Sequence, residues 1–434
     1  MRNKYTNLGW LITIVVGSVP AVLWLVAMPT QWNTTKNVFE NLGKLAGLTG
    51  MALFAWNVIL SARFKVYNKL FMGLDNTYRA HHIIGSLSFI LLLIHPVLIT
   101  YRYFLSSPIS AFEFLKPSFE SPFRFLGSLT LAGMILAMFV TIYLSVKYEL
   151  FIKAQITLGF LLFIGAIHAV FVGASDLGLK GGVLTLQLYF AVLILLAAIV
   201  YFYRSVFHGN FSKFLSYEVT NLRKSGDIYE ISLSPIAGTM KYLPGQFAFI
   251  KADAPGLMGQ SHPFSLSSSP DEKTISFGIK SLGDYTKLLE DVKKGQQFKI
   301  DGPYGTFSNK IVNNSRQIWI AGGIGVTPFV AMAKALDSNQ TVDLYYSTKN
   351  DSECVYRPEL EEISKQKPNF NLILFNAEKQ GFLTLDIITN KSQNLENANF
   401  MICGPQAMMD SFKSQLKAAG VKKKNINTEE FNLS

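Results

Sequence analysis

Six long apolar segments, separated by short polar stretches, occupy the first half of the chain. Each has roughly the 17–25 residues that a helix needs to cross the hydrocarbon core of a bilayer. The pattern therefore predicts a bundle of six membrane-spanning helices within residues 1–208. The predicted spans are residues 9–28, 43–61, 82–104, 126–146, 154–173 and 184–203.

The pattern changes beyond residue 209, where long apolar runs give way to short segments that alternate apolar and polar residues. Residues 229–233 and 247–250 alternate in this way between Gly and Pro turns, which is typical of strands with one buried face. Residues 209–312 are therefore predicted to form a small antiparallel β-barrel. Residues 313–434 contain short apolar strands separated by helical stretches, which predicts an α/β nucleotide-binding domain.

The composition and charge of the chain indicate that it contacts a lipid bilayer and does not bind nucleic acid. The chain has 434 residues, a hydrophobic fraction of 49% and a formal net charge of +11. Many of the cations flank the apolar segments, where they orient a membrane protein and contact anionic lipid. We therefore expect a lipid bilayer, and no nucleic acid, as a partner. The two cysteines lack a CxxC spacing and predict neither a disulfide framework nor a cysteine-ligated metal.

The charges between the spans also predict the orientation of the bundle. The side that is richer in Lys and Arg is expected to be cytoplasmic. Both termini and residues 209–434 would then lie in the cytosol, with the bundle in the cell (inner) membrane. The cations on the richer side are Arg2, Lys4, Arg63, Lys65, Lys69, Arg79, Lys147, Lys153 and Arg204.

Four of the six histidines lie in or at the start of apolar segments, where ionisable side chains are unfavourable and mark candidate functional sites. His81 and His95 are 14 residues apart. On one helix they would point within about 40° of each other, about 21 Å apart along the axis. Two such levels suit a pair of stacked haems, each with a second axial ligand from another helix. His168 matches the level of His95, whereas His82 lies about 140° from His95 and is the weaker candidate.

The second ligand of the inner level is missing. A partner for His81 is expected 13 or 14 residues before His168, where the sequence has Gln155 and Ala154. An amide is a poor ligand for haem iron. The sequence therefore leaves open whether one or two haems are bound.

Several segments of the second half have the residue types of a flavin and nucleotide site. Residues 262–265 (HPFS) follow a barrel strand, and their Phe and Ser are suited to contact an isoalloxazine ring. Residues 280–286 place a glycine turn before a helix, where amides and the helix dipole favour a diphosphate. Residues 321–328 place glycines between a strand and a helix, so that the backbone can approach a pyrophosphate.

Two further features complete this set. Residues 403–405 (CGP) follow a later strand, at the edge where a nicotinamide would lie. Cys403 could equally be a small buried hydrophobic residue. Phe431, close to the last residue, is an aromatic ring that could cover a flavin face.

In this order, the motifs resemble a known superfamily. The histidine-bearing spans are similar to the ferric reductase transmembrane domain of ferric-chelate reductases and NADPH oxidases, with the length of a bacterial member. The second half resembles the ferredoxin–NADP reductase module. The motifs that carry this resemblance are HPFS (262–265), IKSLGDYT (279–286), DGPYG (301–305), AGGIGVTPF (321–329), CGP (403–405) and EEF (429–431).

The resemblance implies a role for each matching residue. His95 and His168 would ligate an outer haem b, and His81 would belong to an inner one. Phe431 and Cys403 would be catalytic, with the Phe431 ring stacked on the flavin and displaced by nicotinamide. FAD would bind at His262, Pro263, Phe264, Ser265, Lys280, Gly283, Asp284, Tyr285, Thr286 and Phe431. NADPH or NADH would bind at Gly322, Gly323, Gly325, Thr327, Pro328, Cys403, Gly404 and Pro405.

The choice between the two nucleotides rests on the residues that follow the strand at 342–346. The hydroxyls and cations there could hold a 2′-phosphate, which favours NADPH slightly; they belong to Ser347, Thr348, Lys349 and Arg357. Residues 357–361 (RPELE), however, also resemble those of NADH-using relatives.

The resemblance implies transmembrane electron transfer from cytosolic NAD(P)H through FAD and haem b to an acceptor on the outer side. The acceptor would be O2, giving superoxide, or a ferric chelate. One alternative is a membrane reductase that supplies a quinone or a periplasmic redox partner. Another is a haem-binding sensor or carrier. No pattern in the sequence predicts an oligomeric state.

Overall fold

The chain divides into two compact units, Met1–Ser212 and Lys213–Ser434. The described part of the first unit is helical, and the second is built on two β-sheets. The computed structural model describes residues 8–27, 32–62, 64–71, 73–116, 119–144, 148–172, 176–178, 182–207, 214–252, 261–312, 314–393 and 395–430.

Six helices of the first unit are long and apolar enough to cross a membrane, which confirms the predicted spans. The six spans are α1 (Leu8–Ala27), α2 (Thr35–Leu60), α4 (Leu74–Phe104), α6 (Pro122–Tyr143), α7 (Tyr148–Phe171) and α8 (Leu184–Phe202), which continues into a π-helical turn (Tyr203–Phe207). Two short helices, α3 (Lys65–Phe71) and α5 (Pro108–Leu115), lie between spans.

Most of the spans begin earlier than the hydropathy pattern predicted, and the difference is largest for α2 and α4. Helix α2 begins at Thr35 instead of residue 43, and α4 begins at Leu74 instead of residue 82. Both helices start with polar turns, which a search for apolar runs leaves out. The longer α4 places His81 inside the helix, so the chain from His81 to His95 is helical throughout.

Helix α2 is the centre of the bundle. It packs against α1, α4 and α8, and its apolar segment is 67% buried, against 11% for α4. The buried indole of Trp56 on α2 donates to the Thr13 hydroxyl on α1 at 3.0 Å, so its polar group is satisfied inside the bundle. Helix α7 packs mainly on α6. The two histidine-bearing spans, α4 and α7, therefore rest on different neighbours.

The second unit begins with a curled antiparallel sheet, as the alternating pattern predicted. Its strands lie in the order β4-β3-β6-β1-β2-β5. A bridge between Leu266, just after β4, and Phe277 on β5 joins the two edge strands. The strands are β1 (Leu215–Ser225), β2 (Ile228–Ala237), β3 (Phe247–Ala252), β4 (His262–Ser265), β5 (Ile275–Lys280) and β6 (Gln297–Tyr304), with a short helix α9 (Asp284–Lys287) before β6.

A parallel five-stranded sheet follows, in the order β11-β10-β7-β8-β9. Its central strand β7 is buried along nearly its whole length, as expected for a strand covered on both faces. The carboxyl ends of β7, β8, β9 and β10 meet at one edge, where ligands bind in such sheets. The elements are β7 (Arg316–Gly322), α10 (Thr327–Lys334), β8 (Thr341–Thr348), α11 (Arg357–Gln366), β9 (Phe370–Asn376), α12 (Ala377–Gln380), α13 (Leu385–Lys391), β10 (Asn399–Cys403), α14 (Gln406–Ala418) and β11 (Ile426–Glu429).

Candidate functional site

His95 on α4 is held from behind by helix α2. Its Nδ1 atom lies 2.7 Å from the carbonyl oxygen of Gly43. One turn along α2, a Cβ added at Gly47 would lie 2.7 Å from the same Nδ1 atom, so only glycine leaves room for the ring. A carbonyl oxygen can only accept, so Nδ1 carries the proton and Nε2 keeps its lone pair for a metal.

His168 on α7 is held by α6 in the same manner. Its Nδ1 atom lies 2.7 Å from the carbonyl oxygen of Phe123. Four residues along α6, a Cβ added at Gly127 would lie 2.6 Å from the imidazole ring. Each imidazole is thus fixed by a carbonyl and a glycine that are one helical turn apart on the neighbouring helix.

The two imidazoles lie on neighbouring helix pairs. Helix α4, which carries His95, contacts α6, against which His168 is held. The two rings belong to different helix pairs, α2–α4 and α6–α7, and both offer an unprotonated Nε2. Two oriented neutral imidazoles on separate helices are the donor set that a six-coordinate haem b needs, so the residues of this level fit the group.

The level of His81 does not fit in the same way. Its Nδ1 atom lies 3.2 Å from the carbonyl oxygen of Asn57 on α2, so one oriented imidazole is present. Helix α7 is unbroken from residue 148 to 171, which puts Ala154 within about 40° of the His168 direction and Gln155 about 140° away. Ala154 is buried and Gln155 half-buried, and neither offers a ring nitrogen. His82 is exposed, next to His81 on the same helix.

A charged network lies beside the His95 site. The Nζ atom of Lys44 is 3.2 Å from a carboxylate oxygen of Asp176 and 3.5 Å from one of Glu40. An Arg102 nitrogen lies 2.6 Å from the other Glu40 oxygen. Because Lys44 follows Gly43, this network fixes the end of α2 whose carbonyl orients the histidine. Two cations and two carboxylates leave it without net charge.

The predicted flavin residues on β4 meet Tyr285 on α9. The ring centroids of His262 and Tyr285 are 4.1 Å apart, and those of Phe264 and Tyr285 are 6.4 Å apart with planes at 20°. Ser265 is buried at the end of β4, and Pro263 is half-buried between the two rings in sequence. Burial lowers the pKa of His262 below 6.5, so this imidazole is neutral at pH 7.

The polar groups of the predicted diphosphate turn are bonded to other groups of the protein. The Thr286 hydroxyl accepts from the amides of Leu282 and Gly283, each at 2.9 Å. Lys280 Nζ pairs with Asp227 at 3.2 Å. Helix α9 has only four residues before a 3₁₀ turn, and its macrodipole is correspondingly small. The Asp284 side chain lies outside the described residues, so the diphosphate role of this turn stays a prediction.

Two glycine turns pack backbone against backbone at the carboxyl ends of the neighbouring strands β7 and β10. A Cβ at Gly325 would lie 2.4 Å from the carbonyl oxygen of Cys403, and one at Gly404 would lie 2.9 Å from the Cα atom of Gly322. Gly323 has φ +53°, a conformation that favours glycine. These contacts bring the two predicted nucleotide turns together, and their bare backbone fits a dinucleotide phosphate.

The residues around these turns are also ordered. Thr327 is buried and donates its hydroxyl to the carbonyl of Ile324 at 2.8 Å, and Pro328 opens α10, as predicted. A Cβ at Gly322 would lie 2.8 Å from the Cδ atom of Pro405, so the CGP turn covers the first glycine.

The two predicted catalytic residues differ in what the structure describes. Cys403 is fully buried, and burial raises the pKa of its thiol well above 9.0, so the sulfur stays protonated. Its side chain packs in the core while its carbonyl faces Gly325. Phe431 lies outside the described residues. Their catalytic roles stay predictions.

A pocket of about 320 Å³ lies at the carboxyl ends of β8 and β9. Arg357 and Lys379 line it, and only the first of these was singled out from the sequence. The predicted Lys349 does not line the pocket and is 71% exposed, 3.9 Å from Glu378. Ser347 is half-buried within β8.

The glycines and carbonyls behind the histidines were likewise missed. One signal was present in the sequence, because Gly43 and Gly47 form a small-xxx-small pattern that lets membrane helices approach closely. No comparable pattern precedes Gly127.

Three family models match successive parts of the chain. A ferric reductase like transmembrane component matches residues 46–166. An FAD-binding domain matches residues 212–308, and an oxidoreductase NAD-binding domain matches residues 319–414.

Curated relatives match less than half of the chain. It is 27% identical to the sulfhydrogenase 2 gamma subunit of Pyrococcus furiosus, over 44% of this chain and 73% of that protein. It is 31% identical to the electron transfer subunit of dihydroorotate dehydrogenase B (NAD(+)) of Clostridium acetobutylicum, over 44% and 71%. Identity to the flavohemoprotein of Rhizobium meliloti is 28%, over 43% of this chain and only 52% of that protein.

A solved structure has a similar fold over most of the chain. It is the flavohemoglobin of Malassezia yamatoensis with bound FAD and heme, at 18% identity and a TM-score of 0.52, covering 96% of this chain and 100% of that one. At this identity the likeness concerns the fold alone. The three successive family matches, by contrast, reproduce one domain architecture in its order. The chain belongs to the ferric reductase/NADPH oxidase superfamily, as a multi-pass membrane oxidoreductase with FAD-binding and NAD-binding domains.

Proposed function

We propose that this protein transfers electrons across a membrane, from NAD(P)H through FAD and one haem b to an acceptor on the opposite side. The observation that best supports this is the matched pair of imidazoles, His95 and His168, each oriented by a backbone carbonyl with Nε2 left for iron. When bound, FAD takes a hydride from the nucleotide and releases its electrons singly, and haem iron carries one electron at a time.

Backbone groups of this chain fix the protonation and the position of the two imidazole rings. The carbonyls of Gly43 and Phe123 keep the proton of each imidazole on Nδ1, which fixes the tautomer and raises the basicity of Nε2. Gly47 and Gly127 admit the rings to these positions. In the second unit the glycines of the two packed turns leave the backbone accessible to a phosphate.

The proposed orientation has both termini in the cytosol and the bundle in the cell membrane. Two cations near the proposed outer side, Lys44 and Arg102, pair with Asp176 and Glu40. The Lys and Arg residues that flank the spans are more numerous on the proposed inner side, in keeping with the positive-inside rule. The nucleotide would come from the cytosol, and the outer acceptor would be O2, giving superoxide, or a ferric chelate.

We propose a single haem because only the His95 level has two oriented imidazoles. The stoichiometry is tested by the ratio of haem to FAD in purified full-length protein. We expect a ratio near one, rising toward two in Ala154→His, because His81 is already oriented by Asn57 and position 154 lies on the same side of α7 as His168. A wild-type ratio near two would contradict the single-haem proposal.

The electron route is tested by anaerobic reduction of the FAD-loaded protein in lipid nanodiscs. Addition of NADH or NADPH should bleach the flavin and then reduce the haem, and later addition of O2 or a ferric chelate should reoxidise the haem. If the flavin stayed oxidised with both nucleotides, a haem sensor or carrier would be favoured. If the haem were reduced but reoxidised only by a quinone, the quinone-linked alternative would replace the proposed acceptor.

A further inference from the structure

The pocket at the ends of β8 and β9 lies beyond the glycine turns along the same sheet edge. Its floor is apolar, formed by Tyr346, Leu374 and Phe375, of which Tyr346 is fully buried. Its rim is polar and includes Asp351 and Asn376. An apolar floor with a few polar groups at the carboxyl ends of parallel strands suits the adenosine end of a dinucleotide whose phosphates lie at the glycine turns.

The charges at the rim are already paired. The Nζ atom of Lys379 lies 2.6 Å from a carboxylate oxygen of Asp351. The Nε atom of Arg357 lies 2.7 Å from Glu361, which is one helical turn away on α11. Neither of these two pocket-lining cations is free to meet a second anion without giving up a carboxylate partner.

We infer that this pocket selects NADH over NADPH, with Asp351 as the specificity-determining residue; the inference rests on the proposed function. A carboxylate at this place accepts hydrogen bonds from the ribose hydroxyls of NADH. The 2′-phosphate of NADPH would place a multiply charged anion beside the singly charged carboxylate of Asp351, and like charges at an interface are strongly unfavourable.

Two observations support this assignment. The hydrogen bond from Lys379 keeps the pKa of Asp351 below 3.8, so the carboxylate is ionised at neutral pH. Of the residues that favoured NADPH from the sequence, Ser347 and Lys349 do not line the pocket, because Ser347 is half-buried in β8 and Lys349 points toward Glu378. Thr348 and Arg357 do line it, and the Arg357 guanidinium is already paired with Glu361.

The test compares flavin bleaching by NADH and NADPH in the full-length protein by anaerobic stopped-flow. We expect NADH to have the higher second-order rate constant by on the order of tenfold or more, and added salt to reduce the difference. Asp351→Asn removes the charge from an exposed side chain, so the ratio should fall toward one, mainly through faster reduction by NADPH. Glu353→Gln removes a charge from the same turn outside the pocket lining and serves as the matched control.

Binding of ADP-ribose and of 2′-phospho-ADP-ribose, measured by calorimetry, gives a readout that needs no redox activity. We expect the ligand without the 2′-phosphate to bind more tightly, and the difference to shrink in Asp351→Asn. Equal or better use of NADPH by the wild type would overturn the inference, and so would an unchanged ratio in Asp351→Asn. Failure of both nucleotides to reduce the flavin, with this binding preference intact, would overturn the proposed function and leave the inference standing.

Discussion

The two units of the molecule prepare their cofactor sites in opposite ways. In the membrane unit, side chains are left to bind and the backbone holds them from behind, as Gly43 does for His95. In the second unit the backbone itself is exposed for binding at glycine turns, and side chains such as Thr327 tie those turns in place. The difference follows from the solvent. Free backbone groups are not tolerated in lipid, whereas beside water they can wait for a phosphate.

Glycine serves both units but meets different neighbours. Gly47 and Gly127 lie against imidazole rings, and Gly325 and Gly404 lie against another backbone segment. A side chain added at the first pair would displace an imidazole ring, and one added at the second pair would separate two turns. The two units can therefore be disabled independently.

The largest expected effect is the loss of haem from the membrane unit with no change in the function of the second unit. His168→Ala removes one of the two imidazoles proposed to hold haem, and we expect bound haem to fall by roughly tenfold or more, since loss of outer-shell partners alone costs about 10–100-fold in metal affinity. Flavin bleaching by NADH should be unchanged, because the second unit keeps its own sites. Haem is measured by the pyridine haemochrome spectrum, and full haem content in this variant would disprove the ligand assignment.

The reverse separation uses Gly325→Val. A Cβ at this position would lie 2.4 Å from the carbonyl oxygen of Cys403, so the two turns must move apart. A misplacement of about 1 Å can slow a reaction on the order of a hundredfold, and we expect hydride transfer to the flavin to slow by that much. Haem content and reduction of the haem by dithionite should be normal. Unimpaired flavin reduction would show that these turns do not position the nucleotide.

Whether a feature of the fold or the site could be predicted depended on how far apart its residues lie in the sequence. Each of the six spans, and the spacing of His81 and His95, is a local property of a single helix, and the sequence predicted them. The acceptors of the imidazole protons were not predictable, since Gly43 lies 52 residues from His95 and Phe123 lies 45 residues from His168. Their pairing depends on which helices pack together, and hydropathy does not specify this.

The nucleotide pocket shows the same limit. Lys349 was predicted to face a phosphate because it directly follows β8. The pocket is instead lined by Lys379 on α12, the helix that follows β9, 28 residues from its partner Asp351. Neighbouring strands of a parallel sheet end together in space although they are far apart in sequence. The glycine motifs were recognisable because each lies in one short turn, whereas the packing of one turn on the other required the strand order.

An intermediate effect is expected where glycine admits a ligand in the membrane unit. Gly127→Ala places a Cβ 2.6 Å from the His168 ring, and overpacking of this kind costs about 1–3 kcal/mol. We expect haem to bind several-fold more weakly, with a shifted low-spin spectrum, because the imidazole must tilt. Gly165→Ala is the matched control, since its Cβ would meet only a Thr130 methyl group at 3.5 Å. Equal haem affinity and spectra in the two variants would show that Gly127 does not position the ligand.

The smallest effect concerns side chains that join the two parts of the second unit. Lys334 at the end of α10 pairs with Glu359 on α11 at 2.8 Å and with Glu272 of the barrel at 3.2 Å. Lys334→Met should reduce the free energy of unfolding of this unit by about 1 kcal/mol, because the ion pairs are only partly buried. Thermal unfolding followed by flavin release measures it, and Lys365→Met, whose partner Glu362 is exposed, is the control.

The pH dependence of this effect distinguishes an ion pair from mere packing. Burial lowers the pKa of Lys334, but the carboxylates of Glu359 and Glu272 more than offset this and raise it above 10.5. A raised folded-state pKa gives stability that is fully present below the unfolded value and is lost as the pH rises through the folded one. The difference between wild type and Lys334→Met should therefore be constant near neutral pH and shrink only above about pH 10.5. A difference that persisted at higher pH would assign the effect to the methylene chain of Lys334, and the side chains of the second unit would then hold its parts together by packing, as those of the membrane unit do.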